Sequence, residues 1–295
     1  MSQSIYTLKI QCPDAKGIVA QVAGFLTNLG GNILDLDQHT ALDLETFFLR
    51  LRFEVEDHFV ESQFVLEFKP LASNFQMSWD LIQPSHRPQV ALMVSKTEHC
   101  LFELLTKHRD GQLNCDIPVI ISNHPDRQDI ADMFDIPFFH CPIIRDIDSG
   151  AGADTSMSGK AQQEALVNEI LENHKTDYVV MARYMQILSD EFTTKWDNQV
   201  INIHHGFLPA FVGAKPYHQA WTKGVKMIGA TAHYATSDLD QGPIISQDTQ
   251  RVADKATIED FIEMGQDIER RVLFDGLKKV IENRVFVAGN RTFIL

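Results

Sequence analysis

Apolar residues in the first part of the chain recur with the spacing of strands and helices in turn. Every second residue from Phe47 to Phe53 is apolar, which predicts a half-buried strand. Further strands are predicted at residues 6–10, 33–39 and 77–82. Helices are predicted at 15–29, capped by Asp14, and at 64–71, where Pro70 weakens the end. The resulting order βαββαβ predicts a ferredoxin-like module over residues 1–84.

The pattern changes after a polar, proline-bounded linker at residues 83–88. Apolar runs at 90–95, 117–122, 138–141 and 178–182 alternate with helical patterns. This order predicts a Rossmann-like parallel sheet with helices on both faces, over residues 85–295. Residues 146–160 are expected to form a flexible connection. Residues 257–295, a capped helix followed by a hairpin, are expected to be scaffold without chemistry.

The composition narrows the possible partners and location. The chain has 295 residues and a net charge of −14, which argues against a nucleic acid as its main partner. The first residues lack the pattern of a signal peptide, and no run approaches the roughly 20 apolar residues of a membrane span. The four cysteines include no Cys-x-x-Cys pair. We therefore expect a cytoplasmic protein with reduced thiols, no membrane association and no metal.

Three polar side chains between residues 200 and 243 are placed for chemistry on a carbonyl group. Asn202 and His204 stand two positions apart at the end of an apolar run, so in a strand they face the same side. Asp240 follows a second predicted strand at 227–234. A donor amide, an imidazole and a carboxylate suit attack on a carbonyl. His205 is expected to point the opposite way and to be structural.

These residues lie within longer motifs that resemble a known enzyme family. Asn202-Ile203-His204, with LDQGP at 239–243, resembles the signature of the glycinamide ribonucleotide formyltransferase family. The closer resemblance is to formyltetrahydrofolate deformylases, and it runs over nearly the whole chain. It is carried by the segments HHGFLPAF at 204–211, GAKPYHQA at 213–220 and ARYMQILS at 182–189. In the first module, CPDAKGIV at 12–19 and LGGNI at 29–33 resemble an ACT domain, an amino-acid-binding regulatory module.

The resemblance implies a function and a set of site residues. It implies hydrolysis of 10-formyltetrahydrofolate to tetrahydrofolate and formate without a permanent cofactor, by Asn202, His204 and Asp240. The formate would supply purine biosynthesis and balance the one-carbon pool. An amino-acid effector and a homo-oligomer are also expected. Folate contacts are implied for Arg183, Met185, Gln186, Ile187, Leu188, Ala235 and Leu239. Supporting roles near the site are implied for His218 and His233, and effector contacts for Gly30, Gly31 and Asn32.

Two other functions stay open from the sequence alone. One is formyl transfer to a small amine acceptor. The segment at 95–100, SKTEHC, has no glycine and carries a carboxylate, so it lacks the glycine-rich turn that cradles an acceptor's phosphate. Water is then the default acceptor. The other is a non-catalytic folate or amino-acid sensor, against which the intact catalytic set argues. The sequence leaves open whether His204 or Asp240 takes the first proton.

Overall fold

The chain divides into two compact units that are not each continuous in sequence. The computed structural model describes residues 4–56, 59–144, 159–211, 213 and 215–295. Unit 1 comprises Met1–His86, Asn283–Ala288 and Phe293–Leu295. Unit 2 comprises Arg87–Glu282 and Gly289–Thr292. The last residues of the chain therefore fold with the first eighty-six.

Unit 1 has the predicted βαββαβ order. Its elements are β1 (Ser4–Pro13), α1 (Ile18–Asn28), β2 (Asn32–Ala41), β3 (Thr46–Val55), α2 (Glu61–Asn74) and β4 (Ser78–Ile82). The strands pair antiparallel in the order β2-β3-β1-β4. Alternate residues of β3, including Leu49 and Leu51, pack with Val22 of α1 and Phe68 of α2 in one core. The predicted alternation of apolar residues is confirmed, because one face of the sheet carries both helices.

Two predictions for the helices of unit 1 were wrong at their ends. Helix α1 begins at Ile18, because Gly17 before it takes the left-handed conformation at φ 90°. Asp14 does not cap the helix, since its backbone N–H donates to Glu45 O and its carboxylate accepts from the Thr40 hydroxyl. Helix α2 is longer than predicted, since it runs from Glu61 to Asn74 with Pro70 inside it. A proline costs a helix one hydrogen bond, which burial of the helix can offset.

The second face of the unit 1 sheet is covered by the carboxyl-terminal residues. These form the predicted hairpin of β12 (Val285–Ala288) and β13 (Arg291–Ile294). The ring of Phe48 on β3 stacks 4.6 Å from the ring of Phe293 and lies 5.5 Å from that of Phe286. The Lys9 ammonium donates to Val285 O at 2.9 Å. Phe48 is fully buried as a result.

Unit 2 is an α/β domain built on a seven-stranded sheet. Its strands are β5 (Val90–Val94), β6 (Ile120–Ser122), β7 (Phe138–His140), β8 (Tyr178–Met181), β9 (Val200–His204), β10 (Met227–Tyr234) and β11 (Ile244–Arg251). Its helices are α3 (His99–Arg109), α4 (Gln128–Met133), α5 (Gly159–Asn173), α6 (Asp190–Lys195), α7 (Pro216–Thr222) and α8 (Ile258–Ile281). The strand order is β11-β10-β9-β8-β5-β6-β7. Residues 146–158 of the predicted flexible connection lie outside the described residues.

The sheet of unit 2 is parallel for five strands and antiparallel at one edge. Strands β7, β6, β5, β8 and β9 are parallel, which confirms the Rossmann-like prediction. Strand β10 runs antiparallel to β9, and β11 runs antiparallel to β10. The strand β11 was missed because only its first two residues are apolar and the other six are polar.

Helix α8 packs on the antiparallel edge of the sheet. It starts with the predicted capping box, in which Thr257 and Asp260 each bond the other's backbone N–H. Its Gly276 touches the sheet, where an added Cβ would lie 2.9 Å from the Cβ of Ala232 on β10. Within the described ranges, no helix is both long and apolar enough to cross a lipid bilayer.

Candidate active site

Asn202 and His204 lie at the carboxyl end of β9, next to a cavity in unit 2. Both side chains line one cavity, as the period of a strand requires. The imidazole nitrogen Nδ1 of His204 lies 3.1 Å from Oδ2 of Asp240. The two side chains are only 4% and 7% exposed. The structure therefore pairs an imidazole with a carboxylate, with the third predicted catalytic residue two positions away on the strand.

The orientation of the Asn202 amide follows from its neighbour His233 on β10. The nitrogen Nδ1 of His233 lies 2.8 Å from Tyr234 O, and a carbonyl oxygen can only accept, so Nδ1 carries the proton. In the neutral ring Nε2 is then an acceptor, and it lies 3.1 Å from Nδ2 of Asn202. One amide N–H of Asn202 donates to His233. The second N–H remains for a ligand.

The loop that carries Asp240 is fixed between β10 and β11. Asp240 itself has φ 58°, a left-handed conformation that aspartate tolerates better than most residues. Gly242 lies so close to β10 that an added Cβ would come within 1.7 Å of Tyr234 O. The Tyr234 N–H donates to Pro243 O at 2.9 Å. Only glycine fits at position 242. Its close approach to β10 fixes the loop that places Asp240 against His204.

Burial and hydrogen bonding act in opposite directions on the two acid–base groups that border Asn202. Burial alone would raise the pKa of Asp240, but the hydrogen bond and charge of His204 outweigh it and hold this pKa below its usual value. Burial lowers the pKa of His233, against the hydrogen bond to Tyr234 O. Asp240 is therefore a carboxylate and His233 a neutral imidazole at neutral pH. Asp240 is thus not tuned to be a stronger base.

The cavity has a volume of about 590 Å³ and contains every residue predicted for the catalytic and folate sites. Ile187 is 58% exposed, and Met185 and Leu239 are similarly open at its mouth. Leu188, in contrast, is buried and belongs to the core of unit 2. The other predicted residues that line the cavity are Arg183, Gln186, Ala235, His218 and His233.

The segment at 183–188 is held at the end of β8 by Ser95, which follows β5. The Ser95 hydroxyl donates to Asn123 Oδ1 at 2.6 Å and accepts the backbone N–H of Met185 at 2.9 Å. The Ser95 N–H donates to Arg183 O at 3.3 Å. Arg183 has φ 64°, which strains a residue other than glycine. Its side chain points toward α8, with Nε 3.5 Å from Glu269 Oε2.

Helix α8 contributes a buried carboxylate to the cavity, although residues 257–295 were expected to be scaffold only. Glu269 is 1% exposed and lines the cavity. Its carboxylate accepts from the Tyr217 hydroxyl at 2.8 Å and lies 2.8 Å from Nε2 of His99. The available signal was a glutamate among the apolar positions of a helix, between Ile268 and Val272.

His205 lines the same cavity as His204, so its predicted opposite orientation was also wrong. The alternation of a strand no longer applies, because β9 ends at His204. The His205 ring centre lies 5.5 Å from that of His204 and 6.0 Å from that of Tyr217. Burial, reinforced by the Arg183 guanidinium, lowers the pKa of His205 to about 3. His205 is therefore neutral at physiological pH.

The predicted effector residues lie in unit 1 and take no part in the cavity of unit 2. Gly30 has φ 74° where α1 ends, and Gly31 N–H donates to Leu26 O at 2.9 Å. A Cβ at Gly31 would lie 3.2 Å from Leu26 O and 3.3 Å from the ring of Phe53. Asn32 is exposed at the start of β2. Helix termination accounts for both glycines, and the structure leaves the Asn32 side chain open to solvent.

Two family models match the chain. The model described as formyl transferase matches residues 88–277, which include Asn202, His204 and Asp240. The model described as ACT domain matches residues 6–69. The fold and the site therefore define a formyl transferase domain joined to an ACT domain.

Relatives of known name refine this class. The formyltetrahydrofolate deformylase of Synechocystis sp. is 42% identical, over 98% of this chain and 97% of that relative. The formyltetrahydrofolate deformylase of Bacillus subtilis is 41% identical, over 97% and 92% respectively. The crystal structure of a formyltetrahydrofolate deformylase from Pseudomonas syringae pv. tomato matches with a TM-score of 0.91 at 40% identity, covering 100% of this chain and 95% of that one. The chain belongs to the formyltetrahydrofolate deformylase family.

Proposed function

We propose that the protein hydrolyses formyltetrahydrofolate to tetrahydrofolate and formate, with Asn202, His204 and Asp240 as its catalytic residues. The observation that carries the proposal is the 3.1 Å contact between His204 and Asp240, two strand positions from the Asn202 amide, inside a cavity of about 590 Å³. A cavity of this size accepts one ligand with the dimensions of a folate. The reaction needs only water and the folate, and its formate is a one-carbon unit for purine biosynthesis.

The folate is proposed to lie against the apolar mouth of the cavity. Met185, Ile187 and Leu239 are exposed there although they are apolar. Exposed apolar side chains that converge on one cavity are typical of a ligand site. A flat pterin ring would cover them, and backbone groups of the segment at 183–188 would bond its polar edge. Ala235 borders the cavity on the side of β10.

Asn202 is proposed to stabilise the oxyanion that forms when water adds to the formyl carbon. One of its N–H groups is engaged by His233 at 3.1 Å, so the other has a fixed direction. A preorganised donor of this kind typically contributes about a hundred- to a thousandfold in rate. His204, placed on the same side of β9, can donate a second hydrogen bond when it is protonated.

Asp240 is proposed to hold the attacking water and to orient His204. Its Oδ2 bonds His204, while Oδ1 lies 3.8 Å from His233 Nε2, too far for a hydrogen bond. Oδ1 can therefore accept a water hydrogen. The lowered pKa of Asp240 favours orientation and charge stabilisation over direct proton abstraction. The nitrogen that leaves takes up a proton from the same pair.

One assay tests hydrolysis against formyl transfer. Purified protein is incubated with formyltetrahydrofolate, with and without glycinamide ribonucleotide, and formate is measured. We expect formate at the same rate in both samples. If the product is formylated glycinamide ribonucleotide and formate appears only at the background level, the protein is a transferase and the proposal is wrong. A lack of any turnover together with tight folate binding would replace it by a sensor.

We also propose that unit 1 binds a small amino acid near Gly30, Gly31 and Asn32 and changes the rate of hydrolysis. The match of residues 6–69 to an ACT domain supports this proposal. Homo-oligomer formation is part of it and is measured by light scattering. Calorimetry with glycine and methionine, paired with hydrolysis rates, tests the effector. No heat and no change of rate with either ligand would end the effector proposal and leave the hydrolysis untouched.

A further inference from the structure

One wall of the cavity is made by a buried network that the proposed mechanism does not use. Its centre is the carboxylate of Glu269, which accepts from Tyr217 and lies 2.8 Å from His99 Nε2. The guanidinium of Arg183 lies on the same carboxylate, with Nε 3.5 Å from Oε2. Neutral His205 connects this wall to His204, since its ring lies between those of His204 and Tyr217. The network therefore borders the reaction site.

The backbone is adapted to hold this network in place. Gly265, one helical turn before Glu269, makes room for Tyr217, because an added Cβ would lie 2.2 Å from the tyrosine ring. Arg183 adopts a left-handed backbone conformation, with φ 64°. A non-glycine residue in this conformation costs on the order of 1 kcal/mol and persists only where its surroundings demand it. The strained backbone at residue 183 thus places the Arg183 side chain against Glu269.

The wall offers hydrogen-bond donors and has few acceptors left. Both oxygens of Glu269 are engaged by Tyr217 and His99. Arg183 can only donate, and its side chain is 14% exposed, although its Nε and Nη1 are themselves buried without a hydrogen-bond partner. Water can accept from such a wall. An amine at neutral pH is mostly a protonated ammonium, which has no acceptor capacity and is repelled by a guanidinium.

His99, Cys100 and Glu269 meet in this network, but their surroundings disfavour a cation. Atoms of His99, Cys100 and Glu269 lie within 4.8 Å of one another. Burial, with the charge of Glu269, raises the pKa of the Cys100 thiol well above its usual value, so it stays protonated. The positive charge of Arg183 next to Glu269 further opposes a cation.

We propose that Arg183, held by Glu269, is the residue that restricts the formyl group to water by excluding amine acceptors from this wall. The inference rests on the proposed hydrolysis. In hydrolysis, the water oxygen bonds the formyl carbon, the carbon–nitrogen bond to the folate breaks, the folate nitrogen gains one proton, and formic acid loses one to become formate. With an amine, the ammonium first releases one proton to solvent; its nitrogen then bonds the same carbon and gives up a second proton, the carbon–nitrogen bond to the folate breaks, and the folate nitrogen gains one proton. Both reactions are balanced without another reactant.

The test measures how the formyl group divides between water and an added amine. Full-length wild type, Arg183→Gly, Arg183→Met and Arg183→Lys react with formyltetrahydrofolate in the presence of glycinamide. Nuclear magnetic resonance gives the ratio of N-formyl product to formate. Glycine accepts φ 64° without strain, so Arg183→Gly should fold, and thermal unfolding checks this. Once the N-formyl product and formate formed without enzyme are subtracted, the ratio does not depend on how much enzyme is active, so a general loss of stability leaves it unchanged.

Lys175→Gly is the matched control. Lys175 also has a positive φ, 51°, and carries a positive charge, but it is exposed after α5 and does not line the cavity. We expect its ratio to equal that of wild type, with N-formyl product at the level of the uncatalysed reaction. Arg183→Gly and Arg183→Met should raise the ratio at least tenfold, and Arg183→Lys should raise it less because the charge remains.

The outcomes separate this inference from the hydrolysis itself. An unchanged ratio in Arg183→Gly and Arg183→Met, with formate still released, overturns the role of Arg183. A folded Arg183→Gly that makes neither product also overturns it, because Arg183 would then be required for the reaction itself. If wild type releases no formate, the proposed function fails, whatever the ratio in the variants.

Discussion

Nδ2 of Asn202 lies 3.1 Å from Nε2 of His233, and the bond from His233 Nδ1 to Tyr234 O decides which of the two donates. The asparagine amide, which could otherwise turn by half a rotation, is thereby held with one N–H toward the cavity. In the proposed mechanism, His233 thus controls the direction of the oxyanion donor Asn202 through this hydrogen bond.

Replacing His233 should therefore impair catalysis only through Asn202. We expect His233→Phe to lower kcat by about tenfold, with KM little changed. Asn202→Leu removes the oxyanion donor itself and should lower kcat by about a hundredfold or more. The loss in His233→Phe is smaller because the donor is still present and only its orientation is lost. The double variant should be no slower than Asn202→Leu alone. Steady-state kinetics of formate release give all four values. Independent, multiplicative effects would show that His233 acts on something other than Asn202.

Asp240→Asn should abolish most turnover while leaving folate binding intact. The amide cannot supply the negative charge that orients His204 and holds water, and acid–base groups contribute about a hundred- to ten-thousandfold. Formate release measures the rate, and calorimetry measures folate binding. Asp238→Asn is the control, because Asp238 is exposed two residues away. Turnover within a factor of two of wild type in Asp240→Asn would remove Asp240 from the mechanism.

Substitutions at Ile187 and Leu188, which are neighbours in the segment at 183–188, should affect different properties: folate binding for Ile187 and protein stability for Leu188. Ile187→Ala removes an exposed apolar surface at the cavity mouth, and we expect KM to rise about fivefold with unchanged unfolding, since burial of that surface by a ligand is worth about 1 kcal/mol. Leu188→Ala, inside the core, should cost about 2–5 kcal/mol of unfolding free energy. Kinetics and urea unfolding of both variants check this. If KM rises in neither variant, the folate binds elsewhere.

His205 should make the protein less stable as the solution becomes mildly acidic. Its pKa is about 3 in the folded protein and about 6.5 when unfolded, so unfolding takes up a proton below pH 6.5. The stability contributed by neutral His205 is complete above pH 6.5 and is lost as pH falls from 6.5 toward 3. Between pH 6.5 and 5 the loss is about 2 kcal/mol.

Urea unfolding of wild type and His205→Gln at the two pH values measures this difference. The variant should lose about 2 kcal/mol less than wild type over the interval. Working above pH 5 avoids the titration of Asp240, whose lowered pKa affects stability only in stronger acid. Equal losses in both proteins would show that His205 is accessible to protons in the folded state.

The strand pattern was sufficient to predict how Asn202 and His204 are placed. Two positions on one strand must share a face, and the parallel sheet puts sites at its carboxyl ends. Asp240 could be placed near them only through the family resemblance. Its contact with His204 depends on the antiparallel β10 and the close approach of Gly242 to Tyr234, and neither has a signal in hydrophobic periodicity.

Glu269 was hidden for a related reason. Periodicity assigns a helix a buried face but does not tell which polar residue on that face has partners waiting for it. Its partners come from distant parts of the chain, His99 at the start of α3 and Tyr217 in α7. His205 was misplaced because the end of a strand is the least predictable part of it.

The aromatic cover on Phe48 has a consequence for how the protein is made. Phe286 and Phe293, which shield it, follow β3 in the chain by more than 200 residues, so they are synthesised long after it. Unit 1 is therefore incomplete until those residues are synthesised, and Phe48 lacks its aromatic cover until then. A fragment that stops at residue 84 lacks the residues that cover Phe48, so we expect it to be less stable than the same unit in the full chain.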